Sequence, residues 1–162
     1  MLPIDFTPDS ARDIPAGAES AWQAGRIDLA TQRATNLRYG YFDYPVDFRV
    51  SSHAFLSASS TPLLDIMFTL AHSLRELRSR GSAEIDFTEN SYVIRLAIDA
   101  DQVRFTSSHR APSAPPRCPL EEYATAARAF ITRGTEYLVT HHPPLGDNPA
   151  LSELRDLAGL SA

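Results

Sequence analysis

Apolar and polar residues begin to alternate strictly at Phe42. Residues at every second position form one apolar face, and Pro45 and charged residues form the other. The apolar set is Phe42, Tyr44, Val46, Phe48 and Val50. This period predicts a half-buried strand. Pro45 cannot donate a ladder hydrogen bond, which favours an edge position or a bulge.

After this strand, apolar residues recur at intervals of three and four positions, and this spacing predicts a helix over 62–80. Thr61 is the expected N-cap, Pro62 occupies the first turn, and Gly81 ends the helix. The buried stripe is Leu63, Ile66, Met67, Leu70, Leu74 and Leu77. The opposite side is expected to carry Asp65, Thr69, His72 and Glu76.

Three short alternating segments after Gly81 predict an antiparallel meander. The expected register pairs are Phe87–Tyr92, Ile85–Ile94, Ile98–Val103 and Leu96–Phe105. They place the apolar residues on one face, as a sheet with a single buried side requires. Glu84 and Arg95 then form a cross-strand pair on the solvated face.

A second long helix is predicted over 119–140, and Asn148 and Pro149 cap a short helix after it. The expected class is therefore α+β, in two layers, with an antiparallel meander sheet covered on one face by helices. We expect a single domain over 1–162: an N-terminal extension over 1–40, partly helical around 18–37, an α+β core over 41–140, and a C-terminal helical segment over 141–162. The proline cluster at 111–119 predicts an irregular connector.

The charge composition excludes several function classes. All 15 basic residues are arginine, against 20 Asp and Glu, which gives a net charge of −5. Without lysine the chain can form neither a P-loop nor a Schiff base. Scattered arginines in an acidic chain argue against a nucleic-acid partner. With no apolar run near 20 residues, we expect neither a leader nor a membrane span, and predict a cytoplasmic protein.

Cys118 is the one cysteine, so an intrachain disulfide and a zinc site of several thiolates are both excluded. It stands just before the helix predicted from 119, where the helix dipole could lower the pKa of the thiol and make it a nucleophile. The sequence places no histidine next to it, although His53 or His109 could approach in space.

His141, His142 and Asp147 form the other candidate cluster, with three possible metal ligands. The side chains of adjacent histidines diverge, which argues against one shared ion. We therefore predict that the protein binds no metal and no cofactor and that it is not an enzyme. A small hydrolase-type enzyme that uses Cys118, or a site at His141 and His142, remains the alternative.

Two sets of residues are candidates for contact with a protein partner. Exposed aromatics are typical of interface hot spots, and Tyr39 and Tyr41 are those that the strand pattern does not place in the core. The meander and its two loops carry the acidic residues Glu84, Asp86, Glu89, Asp99 and Asp101. Such a patch would attract a basic partner.

The order of elements over 41–140 resembles that of a known group. Three segments carry the resemblance, and a proline-rich connector precedes the last of them: LLDIMFTLAHSL, AEIDFTENSYVIRLAIDADQVRF and EEYATAARAFITRGTEYL. This order resembles small uncharacterised actinobacterial proteins whose arrangement is similar to that of immunity proteins encoded beside polymorphic toxins. The resemblance implies a stoichiometric inhibitor that binds one toxin domain and blocks its active site or its folding. An adaptor subunit of a larger assembly is the other alternative, and the oligomeric state stays open.

Overall fold

The computed structural model describes residues 2–109 and 112–161. A three-stranded antiparallel sheet has the order β1-β2-β3, with β1 at Ile4–Phe6, β2 at Asp43–Val50 and β3 at His53–Pro62. A four-stranded antiparallel sheet has the order β4-β5-β6-β7; its strands are Ser82–Asp86, Val93–Asp99, Gln102–Ser107 and Arg117–Pro119. The protein thus belongs to the predicted α+β class, with a second sheet beside the expected meander.

The helices are α1 at Glu19–Gln23, α2 at Ala34–Gly40, α3 at Leu63–Arg80, α4 at Leu120–His141 and α5 at Pro149–Ala158. Short 3-10 helices lie at Ser10–Arg12 and Pro143–Asp147. α3 is the centre of the fold, because it packs against α2, α4 and α5 and against strands of both sheets. Its predicted apolar stripe is fully buried, as are Leu64, Phe68 and Ala71 on its other sides.

The start of α3 differs from the prediction. Thr61 is the next-to-last residue of β3, and Pro62 is the N-cap, with extended backbone and no capping side chain. Gly81 ends the helix as predicted, in the left-handed region at φ 72°. Asp65 was expected on the polar side, but it is buried and forms an ion pair with Arg38 of α2.

The register of the meander is confirmed at each predicted pair that lies within the strands, including Ile85 opposite Ile94 and Ile98 opposite Val103. Glu84 and Arg95 form the expected cross-strand pair. The connector at 111–119 is irregular only up to Pro116 in its described part, because Arg117–Pro119 pairs with β6 as the edge strand β7. Pro119 fits there because an edge strand has one side without ladder hydrogen bonds.

The alternating strand is confirmed, and its five apolar residues are all buried. It is the middle strand of its sheet, but β1 ends at Phe6, opposite Val46, so Pro45 faces no β1 residue in the register. A register irregularity follows between Val46 and Phe48. Of the two positions that Pro45 favoured, a register irregularity is present next to it, and an edge strand is not, because β2 lies between β1 and β3.

Residues 2–40 are integrated into the core, whereas the sequence suggested an extension. Leu2 and Ile4 are buried, and β1 pairs with β2. Arg133 on α4 donates to the carbonyl of Ile4 at 2.7 Å, and the Asn148 side chain donates to the carbonyl of Leu29 at 2.7 Å. In place of one helix over 18–37, the segment forms the short helices α1 and α2, separated by turns.

Gly134 lets α3 and α4 approach closely. A Cβ built at this position would lie 2.4 Å from Sδ of Met67, which is fully buried. Only glycine leaves room for this side chain. The neighbouring Thr135 has a buried hydroxyl oxygen with no hydrogen-bond partner among the described residues.

Candidate functional site

Tyr39 is the exposed member of the predicted aromatic pair. It is 37% exposed and is the one large hydrophobic side chain classed as exposed in residues 2–109 and 112–161. Tyr41 was expected to be a contact residue as well, but it is only 7% exposed. α2 ends at Gly40, and the chain then turns inward, so that the Tyr41 ring packs 6.0 Å from the ring of Phe42.

Arg38 fixes the helix that carries Tyr39. Its Nε and Nη2 donate to Oδ1 of Asp65 at 3.0 and 2.7 Å. The guanidinium also lies 4.9 Å from the ring centroid of Phe68 and 5.3 Å from that of Tyr39. These contacts attach α2 to the start of α3. Tyr39 is therefore presented from a helix with a fixed position.

Asp65 connects this corner to the meander. Its pKa is raised because burial outweighs the opposing effect of the Arg38 guanidinium. The Asp86 charge raises this pKa further, and a hydrogen bond from the Thr88 hydroxyl lowers it. The loop between β4 and β5 therefore lies beside the start of α3. Arg38, Tyr39, Asp86, Thr88 and the adjoining Glu89 form what we call the Tyr39 surface.

The remaining acidic candidates lie elsewhere. Asp99 and Asp101 belong to the β5–β6 turn, at the other end of β5 from Asp86, and a strand of seven residues spans about 20 Å. Two of the five carboxylates are also paired: Glu84 with Arg95 at 3.1 Å and Asp99 with Arg117 at 2.7 Å. The expected single acidic patch is thus split between two ends of the sheet and partly neutralised.

Arg117 is the residue that the sequence reasoning missed on this face. It lies in the proline-rich segment that was predicted to be irregular, and only the pairing of β7 with β6 brings it close to Asp99. No local pattern in the sequence indicates this pair, since a three-residue edge strand between prolines has too few positions for a visible period.

A cleft with a buried polar centre adjoins Tyr39. It is lined by residues 10–16 together with Glu19, Trp22, Tyr39, Gly40, Asp43 and His142. At its base the Tyr44 hydroxyl donates to Oδ1 of Asp13, and Nε2 of His142 lies 3.2 Å from Oδ2 of the same carboxylate. Burial and the Asp13 carboxylate raise the pKa of Tyr44 well above its ordinary value, so this phenol remains a donor.

The two adjacent histidines have separate environments. The His142 ring is mostly buried, 5.1 Å from the Phe42 ring and 5.7 Å from the Trp22 ring. The exposed His141 stacks on Tyr137 at 4.1 Å. Within the described residues, no three His, Cys, Asp or Glu side chains are grouped so that they could hold a metal ion. Asp13 is 129 positions from His142 in the chain, which is why the sequence gave no sign of this pair.

Cys118 is a buried thiol on β7, 5% exposed. Burial and the Glu122 charge raise its pKa to about 11. The lowered pKa that the position before α4 allowed is therefore not found, because desolvation outweighs the backbone hydrogen bond from Tyr123, which acts to lower the pKa. At neutral pH this side chain is a protonated thiol packed in the core.

Comparison of the chain with models of protein families, with curated proteins and with solved structures found no match. Among the described residues, none of the helices is both long enough and apolar enough to cross a bilayer.

Proposed function

We propose that this protein is a cytoplasmic immunity-type inhibitor that neutralises a toxin domain by direct contact through the Tyr39 surface. The observation that carries the proposal is Tyr39 itself, an exposed aromatic side chain next to Arg38 on a helix that Arg38 attaches to Asp65. Tyr and Arg are the residues most enriched at the energetic centres of interfaces.

The rigidity of this surface supports a binding role. Because Arg38 is held by Asp65, the tyrosine loses little conformational freedom when a partner covers it. Asp86 and Glu89 are exposed, and the Asp86 charge acts on Asp65, the partner of Arg38. Exposed carboxylates at an interface rim accelerate association with a basic partner. Together these features suit capture of a positively charged protein surface.

The hydrolase-type alternative loses support at one of its two candidate sites. A cysteine nucleophile acts as the thiolate, and the raised pKa of Cys118 leaves the thiol protonated at neutral pH. At the other site, His142 is engaged with Asp13 rather than with His141. An adaptor subunit would use the same Tyr39 surface, and it differs from an inhibitor in having no effect on toxicity.

The test is co-expression with the product of the neighbouring gene in cells that this product poisons. We expect protection by the wild-type chain and loss of protection with Tyr39→Ala. The variant Asp86→Asn/Glu89→Gln should weaken it several-fold. Asp101→Asn, at the other end of the sheet, is the matched control and should protect fully.

Three outcomes would overturn the proposal. The absence of both a complex and protection would reject an immunity role. A complex without protection would indicate the adaptor role instead. If Tyr39→Ala protected as well as the wild type while Asp101→Asn did not, the contact surface would be the β5–β6 end rather than the Tyr39 surface.

A further inference from the structure

The cleft beside Tyr39 is large enough to admit a side chain of a partner protein. It measures about 790 Å³ and is open to solvent along one side. Its walls come from the 10–16 segment, from α1 and α2 and from the start of β2. We propose that this cleft binds an arginine side chain of the protein partner. The identity of the partner rests on the proposed function, but the guanidinium chemistry does not.

The charges of the lining favour a cation. Three carboxylates line the cleft, those of Asp13, Glu19 and Asp43, against the single guanidinium of Arg12. An anionic ligand would meet a net negative wall, whereas a cation would be attracted to it. The Asp13 carboxylate is already engaged at both oxygens by Tyr44 and His142. It therefore contributes charge at the base, while the other two carboxylates are available for direct contact.

Two of the carboxylates that line the cleft have free acceptor capacity. Arg12 donates to Oγ of Ser60 at 2.5 Å, and this hydroxyl donates to Oδ1 of Asp43 at 2.7 Å. In the part of the chain that the structure describes, Oδ2 of Asp43 and the carboxylate of Glu19 accept no hydrogen bond. A ligand that only donates, in several directions from one plane, matches this set. Guanidinium has five such donors.

The aromatic residues of the wall indicate the same ligand. The Trp22 indole and the Tyr39 ring both line the cleft, and indole is the aromatic group that attracts cations most strongly. The Arg38 guanidinium, 5.3 Å from the Tyr39 ring centroid, shows that this ring already accepts such a group from one side. A planar guanidinium stacks on rings and binds carboxylates through two donors, which a lysine ammonium cannot do.

A direct test uses N-acetyl-arginine methylamide as the probe. The chain contains one tryptophan, so intrinsic tryptophan fluorescence reports on Trp22 alone. We expect a saturable change in this fluorescence in the millimolar range at constant ionic strength. N-acetyl-lysine methylamide should bind several-fold more weakly, and N-acetylglutamate should cause no saturable change.

Variants assign the binding to the cleft. Glu19→Gln/Asp43→Asn should raise the dissociation constant of the arginine probe about tenfold, because two charged acceptors become neutral. Asp101→Asn, which removes one carboxylate far from the cleft, should leave it unchanged. The absence of a saturable response with the wild type would overturn the inference, as would equal affinity in the double variant.

The outcome separates this inference from the proposed function. If the arginine probe binds and the neighbouring gene product does not, the cleft is a guanidinium receptor and the toxin proposal fails. If the gene product binds and is neutralised but the double variant binds it as tightly as the wild type, the toxin proposal stands and the cleft inference fails.

Discussion

Arg38 directs two N–H groups at a single oxygen of Asp65, with Nε 3.0 Å and Nη2 2.7 Å from Oδ1. The carboxylate is buried and the guanidinium is partly exposed. This pair joins the N-terminal part of the chain to the central helix α3. It therefore determines both the stability of that junction and the orientation of Tyr39.

Removal of Arg38 should destabilise the protein more than neutralisation of Asp65. Arg38→Ala leaves a buried carboxylate without its cation, which costs about 3–5 kcal/mol. Asp65→Asn leaves no buried charge, and we expect about 1–2 kcal/mol. Urea unfolding followed by circular dichroism measures both values. Equal losses in the two variants would show that the ion pair adds nothing beyond an ordinary hydrogen bond.

Asp65 should also make stability depend on pH in an unusual direction. Its pKa is raised in the folded protein, so the folded state holds this proton more tightly than the unfolded state does. The contribution is complete below the ordinary value of 3.8 and is lost as the pH rises through the raised value. The free energy of unfolding of the wild type should thus fall relative to Asp65→Asn across that range. A relative rise would mean that Arg38 outweighs burial and lowers the pKa.

The thiol of Cys118 should resist alkylation in the native protein. With a pKa raised to about 11, the thiolate fraction at pH 8 is about one in a thousand, and the group is buried as well. Iodoacetamide should label the chain slowly at pH 8 and rapidly after unfolding in urea, as mass spectrometry would record. Fast labelling of the folded protein would restore Cys118 as a candidate nucleophile.

Gly134→Ala should weaken the contact between α3 and α4. The added methyl group meets Met67 at a distance that forces the buried side chain to move, at a cost of about 1–3 kcal/mol. Gly40→Ala is the matched control, because its new Cβ would lie 3.8 Å from Pro15, an ordinary contact. Thermal unfolding compares them. A lower melting temperature for Gly40→Ala than for Gly134→Ala would contradict the packing argument.

His142→Ala should loosen residues 9–26. It removes the hydrogen bond to Asp13 and the ring that packs between Trp22 and Phe42. Trypsin cleaves this lysine-free chain only after arginine, so the rate of cutting after Arg26 reports local opening, and we expect a several-fold increase. His141→Ala is the control, because His141 is exposed and stacks only on Tyr137. Equal rates in the two variants would show that His142 does not hold residues 9–26 in place.

The sequence predicts those parts of the fold whose residues are close together in the chain. The meander register followed from Ile85, Ile94 and their neighbours, because a shift of one residue would turn the apolar side chains to solvent. α3 was recognised from its period. The burial of Asp65 could not be predicted, since a helical period gives no information on Arg38, which lies 27 positions earlier.

The sequence did not predict β3 and β7, and this failure also has physical reasons. β3 consists mainly of small and polar residues and contains a bulge with Ala58 at φ 46°, which interrupts the alternation. β7 is three residues long and ends in proline. Of the candidate site, Tyr39 could be predicted from its position outside the strand pattern. The cleft could not, because it assembles residues from both ends of the chain.

The N-terminal segment also sets an order of events during synthesis. Residues 2–40 leave the ribosome before three of the groups that hold them: Arg133 lies 129 positions after Ile4, His142 lies 129 after Asp13, and Asn148 lies 119 after Leu29. Contacts this distant in sequence form slowly, because a long loop must close first. The side of the molecule that carries Tyr39 and the cleft is therefore completed only after residues 133–148 have been made.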